Sequence, residues 1–493
     1  MVITCTGFAA ALQCRVLIFD QSFDRSRGFQ YMSFSLLAAI GGDEPMAAIL
    51  GEDRTIRAWL EVEAAVAYGL ARAGLMDDAT AGRIADGCSM SAVDRPQLWQ
   101  QTANVGYPIL PLVRMICDAI DPADAGFVHF GATTQDIMDS ALAIQLREAT
   151  DRLLEQLSVV GDGLARLTSD HATTLMAGRT HAQFAVPTTF GAKCAVFLAE
   201  FTRHRDRLRS ASDECALLSM FGAGGTSAAL MAGIGDKLPL FRDEVARRLD
   251  LRVTSVPWHV ARDRIAVLTQ TAALTAATCV RLAREVVDLS RSEIGEIAEV
   301  DGLYRGASST MPQKSNPISA ELAIGFGVLA ETAAAAMFRA IEAGHERAAG
   351  EWQVEWQAIP DVFQAAAGAL AAAGSIVSGL RVFPDRMRSN LDVDGGRIMS
   401  EAYMIALAGQ LGRDKAHELV YEAVRQSRDR DEPLLEVLSR SVGEPVWTQL
   451  GSSLPKPEDY IGEAAGVCDA AVQHWRSGGA KIVTDTAKEG HLS

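Results

Sequence analysis

An all-α fold is what the sequence predicts, and three observations predict it. Strand signals are scarce, and apolar residues recur at three- and four-residue spacing through most of the chain. Several of these periodic segments also run two to three times longer than an ordinary helix of about 11 residues. With proline absent and glycine rare inside them, helices are expected over 137–167, 188–218, 262–298, 318–343 and 361–380. Helices so long, and too apolar for solvent on most sides, are expected to bury against one another in a bundle. Ala272-Ala273, Ala276-Ala277 and the run Ala333 to Ala336 provide faces on which neighbouring helices can approach closely.

A chain of 493 residues is too long for a single core. The expected division is an N-terminal extension (1–33), an N-terminal helical domain (34–135), a central long-helix bundle (136–383) and a C-terminal helical domain (384–493). The extension mixes an apolar stretch with Asp20, Asp24, Arg25 and Arg27, and lacks the basic start and small-residue cleavage site of a secretory signal.

Composition excludes several classes of function. The formal net charge of −16 argues against a nucleic-acid partner, because phosphate binding needs clustered Lys and Arg, and any anionic substrate must be held by local positive charge. No apolar run is expected to reach the ~20 residues that cross a bilayer, so no membrane partner is expected. The eight cysteines are scattered without Cys-x-x-Cys or Cys/His ligand spacing. They read as small apolar residues of a reducing cytoplasm, with neither a disulfide framework nor a metal site.

The most informative segment is 305–321, Arg-Gly-Ala-Ser-Ser-Thr-Met-Pro-Gln-Lys-Ser-Asn-Pro-Ile-Ser-Ala-Glu. It is a polar loop ended by Asn316-Pro317, where proline can open the next helix. Ser308 and Ser309 offer hydroxyls, Lys314 a point charge, Asn316 an amide, and the peptide N–H groups further donors, which suits closure over an anion. A second mobile loop is read at Phe221-Gly222-Ala223-Gly224-Gly225-Thr226-Ser227. Thr133 and Thr134 head a long helix, where the unpaired N–H groups and the positive end of the dipole favour a carboxylate, and Asp136 could cap the helix. His181 lies in a polar stretch between helices, with Gln183 and two threonines nearby.

Taken in order, these motifs resemble the fumarase/aspartase superfamily. Gly-x-Ser-Ser-x-Met-Pro-x-Lys-x-Asn-Pro is similar to its signature loop. Gly-Arg-Thr-His-x-Gln-x-Ala-x-Pro-x-Thr is similar to the fumarase and argininosuccinate lyase form of a second shared region. Phe-Gly-Ala-Thr-Thr-Gln-Asp is similar to the adenylosuccinate lyase and carboxymuconate cycloisomerase form of a third. The resemblance covers roughly Phe34 to Trp475. It implies that Ser308 is the general base that takes a proton from carbon next to a carboxylate, with Lys314 and Asn316 gripping that carboxylate. It further implies that Thr133 and Thr134 bind a substrate carboxylate, that His181 positions substrate or acts as acid, and that Gln270 and Asn104 are further polar contacts. A homotetramer whose three motif regions meet from different chains is implied as well, with no metal and no organic cofactor.

Within the superfamily, His345-Glu346-Arg347, then Glu351-Trp352-Gln353-Val354-Glu355-Trp356, Gly395-Gly396-Arg397 and Leu411-Gly412-Arg413-Asp414 resemble the 3-carboxymuconate cycloisomerase branch, which adds Arg347 as a substrate contact. Trp356 stands where adenylosuccinate lyases carry arginine, and His181 where bacterial cycloisomerases tend to carry tryptophan. The mixture implies fumarate-releasing elimination from a small dicarboxylate, a 2-substituted succinate, with nitrosuccinate first. Arg207 is then a donor to a nitro or carboxylate group. Cycloisomerisation of 3-carboxymuconate is the alternative, ahead of adenylosuccinate-type chemistry or a non-catalytic structural role.

Overall fold

The computed structural model describes residues 35–300, 302–450 and 453–478. The extension expected over 1–33 lies outside the described residues. Helices dominate. In the N-terminal part, α1 (Glu52–Arg72) and α2 (Arg95–Val105) precede the long α3 (Thr134–Asp170). The bundle is completed by α4 (Phe190–Cys215), α5 (Asp263–Leu289), α6 (Ile318–Ala340) and α7 (Glu351–Gly379). Towards the C-terminus follow α8 (Ser400–Leu411), α9 (Arg413–Arg430) and α10 (Ala464–Arg476).

Three of the bundle helices start where a side chain takes up orphaned N–H groups. Asp136 accepts the Thr133 N–H at 3.1 Å at the head of α3, and the Thr189 hydroxyl accepts the Ala192 N–H at 3.1 Å at the head of α4. At the head of α6, Glu299 accepts Ser319 N–H at 3.0 Å and Ala320 N–H at 2.7 Å. Two expected boundaries move. The helix expected to run 262–298 stops at Leu289, because β3 (Ile297–Ala298) pairs antiparallel with β4 (Arg381–Val382). The helix expected from 361 begins ten residues earlier, with Pro360 inside it. Proline removes only the bond to the carbonyl four residues back, and burial of that helix in the core outweighs the loss.

Helices α5 and α7 run parallel to α3, joined at their starts by Arg262, which bonds Asp139 on α3 and Glu355 on α7, while α4 and α6 run the other way. Close approach is enforced by glycine: a Cβ at Gly161 would lie 2.1 Å from the Trp475 ring, which locks α10 onto α3 and α4. The segment 228–249 leaves the bundle and packs on α1, sharing its core through Phe241 and Val245.

Three helices, Asp263–Leu289, Ile318–Ala340 and Glu351–Gly379, are long and apolar enough to cross a membrane, which corrects the expectation that no stretch reaches that length. In α5 and α7, 72% of the apolar window is buried inside the fold, against 33% in α6. The larger share of uncovered apolar face therefore belongs to α6.

Candidate active site

At one end of the bundle, the first turn of α3 builds an anion site. Thr133 is buried at its head, and Arg347 donates to Thr133 Oγ1 at 3.2 Å and to Gln135 Oε1 at 3.0 Å. A guanidinium beside a helix N-terminus is suited to a carboxylate. Thr134 is half-buried on the same turn, and Asn104, exposed at the end of α2, belongs to the same end of the molecule.

The turn is held by a group that the sequence motifs flagged only as a cap. Asp136 is fully buried and accepts from His259 Nε2 at 2.8 Å, Ser219 Oγ at 3.2 Å, and the N–H groups of Phe221 at 3.0 Å and Gly222 at 2.8 Å. Burial alone would raise its pKa; the His259 contact and the two loop N–H groups outweigh burial and hold it below the ordinary carboxylate value. The glycine-rich loop 221–227 is thus tied to the head of α3. His259 lay unnoticed because nothing local distinguishes it: its partner is 123 residues away.

The opposite end carries the other two motifs. Gly178 to Thr189 forms most of a hairpin of β1 (Leu175–Thr180) and β2 (Gln183–Thr189), with His181 and Ala182 as its two-residue turn. Both have positive φ, 51° and 61°, the geometry that matches the twist of paired strands. His181 is exposed at the tip. The hairpin is anchored by Arg179, which bonds the fully buried Glu296 at 2.6 and 3.0 Å, while Asn390 donates to the same carboxylate at 2.8 Å.

The signature loop stands before α6 at this end. Its neck is closed by the Asn316 N–H donating to the Gly306 carbonyl at 2.9 Å and by pairing of Ala307 with Ser315. Arg305 secures the foot by donating to Ser319 Oγ at 2.6 Å. Within the loop, Ser308 Oγ accepts the N–H groups of Thr310 at 3.3 Å and Met311 at 3.2 Å. Donors aimed at that oxygen favour its charged form, which is what a serine base needs. Lys314 is exposed and Asn316 half-buried.

Gln270 and Arg207 lie along the shaft. The Gln270 amide donates to the Ala334 carbonyl at 2.6 Å, bridging α5 and α6, and Arg207 is exposed on α4. The two ends are far apart, because α3 spans 37 residues, about 55 Å at 1.5 Å per residue. One chain therefore brings Ser308, Lys314, Asn316 and His181 to one end and Thr133, Thr134, Arg347 and Asn104 to the other.

A long-helix bundle with a serine-lysine-asparagine loop at one end and a threonine-arginine anion site at the other defines an all-α enzyme of the fumarase/aspartase type. The profile of the family described as Lyase matches residues 45–330, and that described as adenylosuccinate lyase C-terminus matches residues 396–471. The chain belongs to the fumarase/aspartase superfamily of lyases, on its cycloisomerase-like branch. It is 38% identical to 3-carboxy-cis,cis-muconate cycloisomerase of Bradyrhizobium diazoefficiens, over 82% of this chain and 89% of that one. It is 34% identical to nitrosuccinate lyase of Streptomyces davaonensis, over 89% and 94%. The crystal structure of a fumarate lyase from Mesorhizobium sp. BNC1 superposes with a TM-score of 0.81 at 36% identity, covering 88% of this chain and 98% of that one.

Proposed function

We propose that this lyase releases fumarate by β-elimination from a 2-substituted succinate, with nitrosuccinate as first choice. Ser308 takes a proton from C3; the freed electron pair forms the C2–C3 double bond, and the C2–N bond breaks with its pair leaving on nitrite. Lys314 and Asn316 hold the carboxylate that gains charge as the carbanion delocalises, a stabilisation that grows toward the transition state. Thr133, Thr134 and Arg347 hold the second carboxylate. Asn104, Gln270 and Arg207 are further substrate contacts in this reading. Nitrite needs little protonation to leave, so His181 serves mainly to position substrate. The reaction as written needs no metal or organic cofactor.

The observation that carries this reading is Ser308 Oγ resting on the N–H groups of Thr310 and Met311. In this reading the two substrate clamps, which lie at opposite ends of the chain, are brought together in a cytoplasmic homotetramer in which loops of different subunits complete each site. Cycloisomerisation of 3-carboxymuconate is the second reading, supported by the 38% identity to an enzyme of that name. The test incubates the protein with a panel of 2-substituted succinates, nitrosuccinate among them, and with 3-carboxymuconate. Fumarate and nitrite should appear together from nitrosuccinate. Interconversion of 3-carboxymuconate and its lactone, with no fumarate or nitrite from nitrosuccinate, would favour the second reading instead.

A further inference from the structure

Gln135 is buried in the first turn of α3, and its amide has only one workable orientation. Its Nε2 donates to the His259 carbonyl at 2.7 Å, and its Oε1 accepts from Arg347 Nε at 3.0 Å. A carbonyl only accepts and a guanidinium only donates, so turning the amide over would lose both bonds. His259 is itself pinned. Gln135 holds its backbone and the neighbouring Asp136 holds its imidazole at 2.8 Å, while the Phe221 ring meets that imidazole edge-on at 6.4 Å. Two adjacent residues of one helical turn therefore grip a partner 124 and 123 positions away, and the Gln135 amide is fixed from behind.

Arg347 depends on that amide. It lies in the segment 341–350 between α6 and α7, outside any helix or strand. Among the described residues its side-chain hydrogen bonds go to two neutral oxygens, Gln135 Oε1 and Thr133 Oγ1, and to no carboxylate. The choice of partner matters for an anion. A carboxylate in place of the amide would orient the guanidinium as well but would cancel its charge, and an apolar side chain would leave it charged and without direction. A neutral amide held rigidly supplies a defined direction and leaves the charge free to act on a ligand.

We propose that Gln135 is a positioning residue, which aims the Arg347 guanidinium at a substrate carboxylate without neutralising it. The proposal rests on the role given to Arg347 in the proposed reaction, and its test carries one readout that needs no turnover. Gln135→Met keeps the length of the side chain and removes both bonds. With whichever of nitrosuccinate and 3-carboxymuconate the wild type converts, KM should rise by roughly tenfold or more, the worth of a hydrogen bond to a charged group, with kcat within about threefold. Gln135→Glu keeps shape and acceptor but sets a carboxylate against Arg347, so at about pH 8, where carboxyl groups are ionised, KM should rise further. A role in packing alone would leave this near-isosteric variant at the wild-type KM. Without substrate, the rate at which phenylglyoxal modifies Arg347, followed by peptide mass spectrometry, should rise several-fold in Gln135→Met with unchanged helical circular dichroism. Should Gln135→Met not fold, Gln135→Glu decides. Wild-type protein that converts neither substrate would sink the reaction, and the modification rate alone would then decide the positioning. The proposal is overturned if Gln135→Met leaves either KM or the modification rate at the wild-type value, or if Gln135→Glu keeps the wild-type KM.

Discussion

A neutral serine hydroxyl is a feeble base, so the role proposed for Ser308 depends on its surroundings. The N–H groups of Thr310 and Met311 meet its oxygen, and Lys314 lies six residues on in the same loop. Ser308→Ala should lower kcat by roughly 10²- to 10⁴-fold, the usual worth of a general base, with KM within about tenfold. Ser309→Ala should be milder, and equal losses in a steady-state assay would remove the base from Ser308. The buried carboxylates also make opposite contributions to pH dependence. Asp136 is held below its unfolded value, so it stabilises the fold above about pH 4 and the contribution is lost as pH falls further. Asp139 faces Arg262 from the head of α5, Glu355 from α7 and His259 from the preceding turn. Burial, opposed by Arg262 and reinforced by Glu355, raises it to about 6. A raised carboxyl stabilises the fold at low pH and loses that contribution as pH rises through about 6. Urea unfolding of the wild type should therefore contain a component that weakens between about pH 4 and 6, and Asp139→Asn should lack it.

At the scale of elements, the proposed catalytic groups ride on two short loops whose necks are fixed and whose tips are exposed. Gly306 has φ of 66°, and a Cβ there would lie 2.4 Å from the Asn316 carbonyl oxygen. Gly306→Ala must open the neck that sets Ser308 against Asn316. Activity should fall by more than tenfold while the midpoint of thermal unfolding barely moves, because the loop adds little to the core; an alanine variant with full activity would show the neck to be irrelevant. In the hairpin turn, Ala182 adopts the left-handed conformation that costs an L-residue about 1 kcal/mol. Ala182→Gly should therefore raise stability slightly, as read by denaturant midpoint, without shifting the anchor at Arg179 and Glu296.

For the whole molecule, the decisive feature is apolar surface that one chain leaves uncovered. Phe338 is 58% exposed and Leu329 52% on α6, with Val267 at 52% and Leu274 at 49% on α5. Packing these faces against other copies would bring the far end of one bundle beside the near end of another, which is what the proposed division of the site requires. Light scattering should give a tetramer, and Phe338→Glu should yield smaller species with little activity. A stable and fully active monomer would overturn the assembly. Mixing two inactive variants, Ser308→Ala and Thr134→Ala, after partial unfolding and reassembly should restore part of the activity, since some shared sites would then contain neither substitution.

The sequence alone determined the class of fold and the superfamily, and it marked the loop on which the proposed chemistry rests. Helical periodicity reports which face of a segment is apolar, and the run from Gly306 to Pro317 is chemically too specific to leave its loop in doubt. The sequence did not reveal the hairpin around His181, because that stretch alternates too weakly to read as strand and its turn residues, His181 and Ala182, lack the usual glycine signal. Nor did it reveal the ties from Asp136 to His259, from Arg262 to Asp139 and Glu355, or from Arg179 to Glu296. Each of these joins residues about 90 or more positions apart, and only folding brings such partners within hydrogen-bonding distance. The tertiary structure also decided that the motifs divide between the two ends of a rigid helix about 55 Å long. Three motifs in order along a chain carry no record of that distance, because helix length and direction, and not sequence separation, set where a loop emerges.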